Sequence, residues 1–253
     1  MNRKDGGDAQ GNIGRMLRGL LKSISDRVPS QCAVCHAWPA QPVCEACVVL
    51  FAQPQSRCLT CALPVADGIT QCGACVRQPP PLDACVAAVS YAYPWSRLIR
   101  EFKFHARPGW ASSFATLMRS APWVEPALER ARFVLPMPLS AQRLRERGFN
   151  QALELARQLA PNKTDADLLL RIRHSAPQSA LGREQRLRNV QHAFAVEPLR
   201  APELTGARVV LVDDVMTSGA SVYAAAASLR QAGARHVTAI VLARAQPSQV
   251  DAA

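Results

Sequence analysis

Asp213 and Asp214 stand side by side in the stretch RVVLVDDVMTSGAS, residues 208–221, just after an apolar run. Val209, Val210, Leu211 and Val212 suit a strand buried on both faces, as in a parallel sheet. The carboxylates then fall at the strand's carboxyl end, where ligands bind in open α/β sheets, and they can accept hydrogen bonds from vicinal sugar hydroxyls. Met216, Thr217, Ser218, Gly219, Ala220 and Ser221 follow as a hydroxyl-rich turn, directly ahead of an alanine-rich helix over 220–232. A phosphate placed there meets free backbone N–H groups and the positive end of the helix. Two acids and a hydroxylated turn in this order are the chemistry of a phosphorylated ribose site. An ordinary strand, turn and capped helix uses some of the same residue types.

Eight of the nine cysteines fall into four CxxC pairs: Cys32 and Cys35, Cys44 and Cys47, Cys58 and Cys61, Cys72 and Cys75. Eight thiolates supply two tetrahedral four-sulfur sites. Pairing neighbours in sequence gives Cys32, Cys35, Cys44 and Cys47 as one site and Cys58, Cys61, Cys72 and Cys75 as the other; an interleaved pairing stays open. Zn²⁺ fits, because it supplies folding energy to a segment with too little apolar sequence for a core of its own. Iron–sulfur clusters take four thiolates as well, but two knuckles with a hairpin-sized gap read more naturally as zinc. Disulfides suit a secreted chain, yet residues 1–30 carry basic residues through their apolar part and show no secretory signal. The compartment expected is the reducing cytoplasm. Cys85, within ACVAAVSYAY, reads as a small buried hydrophobe.

The elements that must position these groups are visible in the texture of the chain. It has 253 residues, 49% of them apolar, a formal net charge of +11 and no stretch long enough to cross a bilayer. The charge implies acidic partners: nucleotides, nucleic acid or anionic lipid headgroups. Residues 1–12 read as a disordered polar tail. Over 13–28, Ile13, Met16, Leu17, Leu20, Leu21, Ile24 and Val28 recur at helical spacing opposite Arg15, Arg18, Lys22 and Arg27. This amphipathic basic helix can pack on the cysteine module or make weak peripheral contact with a membrane or nucleic acid. The cysteine module covers 32–77, and a stiff proline-rich linker covers 78–83.

A second domain follows over 84–245, with a flexible tail at 246–253. Strands are expected at 84–93, 132–135, 167–172, 208–213 and 236–243, with helices at 95–120, broken at Pro108 and Gly109, and near 140–160. Strands alternating with helices predict an α/β fold with a mostly parallel sheet flanked by helices. Two segments bring cations to it. FVLPMPLSAQRLRERGFN places Arg143, Arg145 and Arg147 just beyond a strand end, and RIRHSAPQSALGREQRLRN, running from Arg171, adds Arg173, Gln178, Arg183, Arg186 and Arg188. Guanidinium groups engage phosphate oxygens in pairs and stay charged. The long arginine-rich loop reads as a lid, whereas Arg145 and Arg157 read as solvated helix-face residues.

VVLVDDVMTSGAS resembles the phosphoribosyl pyrophosphate (PRPP) motif of type I phosphoribosyltransferases. With the CxxC pairs, FKF at 102–104, PMPLS, RGFNQALELA at 147–156 and QSALGREQRLRN, the chain from about Cys32 to Arg244 resembles the ComF family. The resemblance implies a double zinc ribbon joined to a type I phosphoribosyltransferase fold. It implies that Asp213 and Asp214 hold the ribose hydroxyls of PRPP, that Thr217 to Ser221 cradle the 5′-phosphate with Met216 beside them in the binding segment, and that Mg²⁺ accompanies PRPP. Arg143, Arg147, Arg183, Arg186 and Lys103, the last from the FK segment, are the candidates for stabilising the departing pyrophosphate. Loss of pyrophosphate leaves an oxocarbenium-like ribose, a step that calls for cations more than for a covalent nucleophile. ComF members are associated with natural competence, acting in the cytoplasm on imported single-stranded DNA alongside a helicase; related members called GntX are linked to gluconate use.

The chain departs from purine-salvage relatives at Thr217, where an acidic residue often assists the base nitrogen, so a purine acceptor is disfavoured. His105, His174 and His192 form no recognisable base arrangement. Three roles follow: a PRPP-binding protein acting in uptake of single-stranded DNA, an active transferase on an unidentified acceptor, and a zinc-ribbon adaptor docking a helicase with a nucleotide as regulatory ligand.

Overall fold

A computed structural model describes residues 30–38, 40–104, 109–172 and 193–246. The expected 1–12 tail and 13–28 helix lie outside these residues, as do residues 247–253, His105, Arg173, His174, Gln178, Arg183, Arg186, Arg188 and His192. The chain divides into two compact units, residues 1–48 and 49–253. This division lies between the two four-cysteine sets. The reason is packing: Cys58, Cys61 and Cys75 share one apolar core with Leu82, Cys85, Val209, Leu211 and Val237.

In the first unit, Ser30 and Ala40 form an antiparallel bridge around the Cys32–Cys35 turn, and helix α1 (Glu45–Phe51) begins directly after Cys44. In the second, Arg57 and Pro64 bridge around the Cys58–Cys61 turn, and Cys72 caps the short helix α2 (Gly73–Arg77). Each second CxxC thus lies on the first turn of a helix.

The remaining elements are β1 (Ala84–Ser90), α3 (Trp95–Phe104), α4 (Trp110–Ser120), α5 (Val124–Arg130), β2 (Phe133–Pro136), α6 (Ala141–Arg147), α7 (Gln151–Leu159), β3 (Leu169–Arg171), β4 (Phe194–Val196), β5 (Arg208–Met216), α8 (Ala220–Gln231) and β6 (His236–Arg244). Strands β1, β6, β5 and β2 form, in that order, a four-stranded sheet in which every pairing is parallel. Alternation explains the near-continuous apolar character of β5 and β6. Val209, Leu211, Val237, Ala239 and Val241 face the core shared with α8, while Val210, Val212, Ile240 and Leu242 are buried on the opposite face. Helices α7 and α4 pack together, α7 also against β5 and β2, and α4 against β1 and β6. Phe102 meets Phe114 edge to face with ring centroids 5.5 Å apart.

Three features depart from the sequence pattern. Strand β4 lies at the end of what reads as a polar loop, pairing antiparallel with β3 through Leu169 and Val196. Three residues are too few for periodicity to reveal, and only the distant partner stabilises them. A 3₁₀ segment over Pro198–Leu204 leads into β5, and α5 is seven residues long.

Candidate functional site

The carboxyl end of β5 opens into a cavity of about 330 Å³. Strand pairing continues through Asp213 opposite Val241 and ends at Met216 opposite Arg244, so both aspartates lie within the last four residues of the strand, near the sheet's rim. The Asp213 carboxylate accepts a hydrogen bond from the Asp214 backbone N–H at 2.9 Å. The turn closes over Gly219, whose φ of +83° lies in the left-handed region and whose added Cβ would stand 2.6 Å from the Tyr223 ring. Ser218 Oγ accepts from the Ala220 N–H at 3.3 Å, at the start of α8. Residues 213–221 all line the cavity.

The opposite wall comes from the segment after β2. Asn150 caps α7, accepting from the N–H groups of Ala152 and Leu153, and its amide donates to the Met137 carbonyl at 3.1 Å. Ser140 caps α6 by accepting from the Arg143 N–H. These two caps hold Arg143 and Arg147 at the cavity, while Arg145 is exposed and does not line it. Arg147 donates to Gln151 Oε1 at 2.9 Å and lies 5.2 Å above the Phe104 ring centroid. Lys103, at the end of α3, pairs with Asp214 Oδ2 at 3.0 Å. Arg171, at the end of β3, also reaches the cavity and stacks over Phe194.

Of the expected residues, Lys103, Arg143 and Arg147 meet Asp213, Asp214 and the 216–221 turn; Arg183 and Arg186 lie outside the described residues. Met216 takes part through its backbone at the rim, since its side chain is buried and touches the Cys85 thiol at 3.6 Å. Cys85 is buried as expected, and burial pushes its thiol up to about 12. No histidine among the described residues lines the cavity. Gln151 and Tyr91 are wall residues that sequence reasoning did not single out. Gln151 sits within the RGFNQ segment, but nothing local separates it from an ordinary first-turn helix residue.

The electrostatics favour an anionic, hydroxylated ligand. Burial, reinforced by the charge of Asp214, raises Asp213 to about 7, against the pull of Lys103, the Asp214 N–H and Arg147. Burial lowers the Arg147 guanidinium, as does Arg143, while Asp214 and Asp213 raise it. Two buried polar atoms in this wall lack a well-aligned hydrogen bond, Asp214 Oδ2 and Gln151 Nε2. The first has Lys103 as an ionic partner at 3.0 Å yet no aligned donor, so its acceptor capacity is not fully used.

The cysteines sort as sequence neighbours. Cys32, Cys35, Cys44 and Cys47 form one cluster and Cys58, Cys61, Cys72 and Cys75 the other, with the sulfurs of each within 4.8 Å of one another. This resolves the interleaved alternative. Separations of 3.9 Å for Cys32 to Cys47, 3.6 Å for Cys35 to Cys44 and 3.7 Å for Cys61 to Cys72 far exceed a disulfide's. They match the tetrahedral edge of about 3.8 Å that follows from a metal–sulfur bond of about 2.3 Å. Burial would raise the Cys32 thiol, but backbone donors at Cys44, Cys35 and Val34 bring it down to about 6, whereas burial and the neighbouring cysteine sulfurs push Cys47 in the same cluster up to about 12. Both clusters can therefore hold a tetrahedral metal ion.

A parallel sheet with an acid pair and a hydroxyl turn at its rim defines a phosphoribosyltransferase-type domain, and a phosphoribosyl transferase domain model matches residues 145–252. The DNA utilization protein YhgH of Salmonella typhimurium is 32% identical over 227 residues, covering 86% of this chain and 98% of that protein. YhgH of Escherichia coli K12 is 32% identical over 229 residues with the same coverage. Competence protein F of Haemophilus influenzae is 33% identical over 184 residues, covering 69% of this chain and 78% of that protein. The chain belongs to this ComF/YhgH family of phosphoribosyltransferase-domain proteins carrying two four-cysteine clusters. No described helix is long and apolar enough to cross a membrane.

Proposed function

We propose that this protein binds PRPP, or a closely related ribose phosphate, in the cavity at the end of β5, and that it serves the handling of imported single-stranded DNA in the cytoplasm. The observation that carries the binding reading is the convergence of Asp213, Asp214 and the 217–221 turn with Lys103, Arg143, Arg147 and Arg171 on one cavity. In this reading the two carboxylates accept from the ribose hydroxyls, the buried Asp214 Oδ2 gaining the aligned donor it lacks. The turn's N–H groups and hydroxyls take the 5′-phosphate, and the cations face the pyrophosphate. Mg²⁺ enters with PRPP and neutralises its pyrophosphate oxygens. Zn²⁺ fills both cysteine clusters, matching the sulfur separations and ligand set. The nucleic-acid role draws on the names of the relatives and on the net charge of +11.

Calorimetric titration of PRPP with Mg²⁺, alongside ribose 5-phosphate, tests the binding reading. Wild type should bind both, and Asp213→Asn with Asp214→Asn should abolish the heat; a wild type without heat for either ligand removes the proposal. Single-stranded DNA binding should weaken steeply with salt, and indifference to salt argues against a phosphate-backbone contact.

Turnover is the second reading, favoured by the number of cations on the wall. These can stabilise the charge that develops on departing pyrophosphate. Release of pyrophosphate from PRPP, lost in Arg147→Ala, supports it. Intact PRPP after prolonged incubation of wild type with each nucleobase offered as acceptor leaves a binding role alone.

A further inference from the structure

Arg244 ends β6 as a cation after the apolar run Ala239–Ala243, and it is only 3% exposed. Among the described residues no carboxylate pairs with it. Its partners are carbonyl oxygens: Nε donates to Cys61 at 2.7 Å, and Nη1 is shared among Met216 at 2.9 Å, Ala245 at 2.6 Å and Thr217. One side chain thus spans the turn of the second cysteine cluster and the start of the 216–221 turn. Burying a guanidinium without an anion costs several kcal/mol unless its surroundings compensate it. Four thiolates around a divalent ion would carry a net charge of −2, and that charge would add to the carbonyl dipoles in compensating the guanidinium at Cys61.

The geometry has a direct consequence for the turn. In a trans peptide the C=O and the following N–H point in opposite directions. Holding the Met216 and Thr217 carbonyls toward Arg244 therefore directs the N–H groups of Thr217 and Ser218 away from it, and both residues line the cavity. The Cys61 carbonyl is fixed in turn by its own knuckle, where Ala62 takes a φ of +56° and returns its N–H to the Cys58 carbonyl at 2.8 Å. A second contact runs in parallel from Cys85 Sγ to Met216 Sδ at 3.6 Å.

We infer that Arg244 is a positioning residue that couples the second four-cysteine site to the phosphate-binding turn, so that a metal ion at Cys58, Cys61, Cys72 and Cys75 and a ribose phosphate at residues 213–221 strengthen each other's binding. This rests on the ribose-phosphate reading of the cavity. Linkage is reciprocal: the factor by which the metal raises sugar-phosphate affinity equals the factor by which sugar phosphate raises metal affinity. The first cluster lies in the other compact unit and has no part in this chain of contacts.

The test uses the full chain loaded with Zn²⁺, a chromophoric chelator as competitor and ribose 5-phosphate as the ligand. Calorimetry first establishes whether ribose 5-phosphate binds, PRPP with Mg²⁺ taking its place as the ligand if it does not; no binding of either by wild type overturns the cavity reading and this inference with it. Given binding, saturating ribose 5-phosphate should raise the chelator concentration needed to strip one of the two ions by about tenfold, leaving the other ion unchanged. Cys35→Ser, which removes a ligand of the first site, should keep the protected ion. Arg244→Gln should retain both ions and lose the protection, and Arg244→Lys should restore part of it. Equal stripping of both ions with and without ribose 5-phosphate overturns the coupling while leaving the cavity reading intact. Since that arm uses wild type, a variant that fails to fold does not shield the inference.

Discussion

Gln31 and Arg57 occupy equivalent positions, one residue before their CxxC turns, and both reach across to the carbonyl one residue beyond the turn. Gln31 donates to the His36 carbonyl and Arg57 to the Ala62 carbonyl, each at 3.1 Å, and both His36 and Ala62 take a positive φ. The two cysteine modules are local copies of one construction: a bridged turn, then a helix whose first turn bears the other two sulfurs. Their surroundings differ. In the first unit Cys35 is exposed, whereas Cys58, Cys61 and Cys75 belong to the core beneath the sheet. Arg57 is long enough to go further than Gln31, its second nitrogen reaching Ser90 Oγ at the end of β1. The same thiol chemistry therefore serves a small compact unit in one place and is built into the core of the phosphoribosyltransferase-type domain in the other.

The sharpest way to break this comparison is to remove one sulfur from each cluster. Cys58→Ser takes a ligand from the shared core, and the unfolding transition of the 49–253 unit should lose about 5 kcal/mol or more. Cys35→Ser should leave that transition within about 1 kcal/mol of wild type. Denaturant titration followed by circular dichroism measures both, and equal losses would mean the two modules are equally integral to the domain.

Gly219→Ala probes the turn that Arg244 joins to the second module. Its φ of +83° and the approach to Tyr223 make any side chain strained there, and the variant should lose about 1–3 kcal/mol. Ribose 5-phosphate affinity should fall with it, while metal content of the first cluster stays whole.

Charge offers a finer test. Asp213 is raised to about 7, so between the usual carboxylate range and pH 7 the folded protein holds a proton that the unfolded chain has released. Stability of the 49–253 unit should therefore fall as pH rises through this window, while affinity for ribose hydroxyls, which needs the carboxylate, should rise toward and through pH 7. Asp213→Asn should flatten the stability trend, and an unchanged slope would remove Asp213 as its source.

The smallest expected effect comes from Arg57→Gln, which copies the first module's residue into the second. The bond to Ala62 can be kept and the bond to Ser90 is lost, for a cost of about 1 kcal/mol. A loss several times larger would mean that the guanidinium supports more of the β1 end than this bond.

Much of this was readable in one dimension because it is local. The acid pair and hydroxyl turn occupy consecutive residues, each CxxC pair needs only a tight turn, and β5 and β6 declare themselves by continuous apolar runs. The packing of the second cysteine set was not readable: Cys58, Cys61 and Cys75 share a core with the sheet, a contact between residues far apart in the chain. Strand β4 escaped because three residues carry no periodicity. Gln151 and Arg244 escaped because neither belongs to a motif whose chemistry is visible without its neighbours.

Residue type and short spacing alone determined which chemistry the chain can perform: thiolates grouped for tetrahedral metal, carboxylates for hydroxyls, a glycine-containing turn for phosphate. Only the tertiary structure decided which of these act together, because Lys103 against Asp214, and Arg244 between Cys61 and Thr217, are contacts between residues far apart in sequence. Such pairs form when burial of the sheet's two apolar faces brings distant strand ends to one rim, and no local pattern encodes that distance.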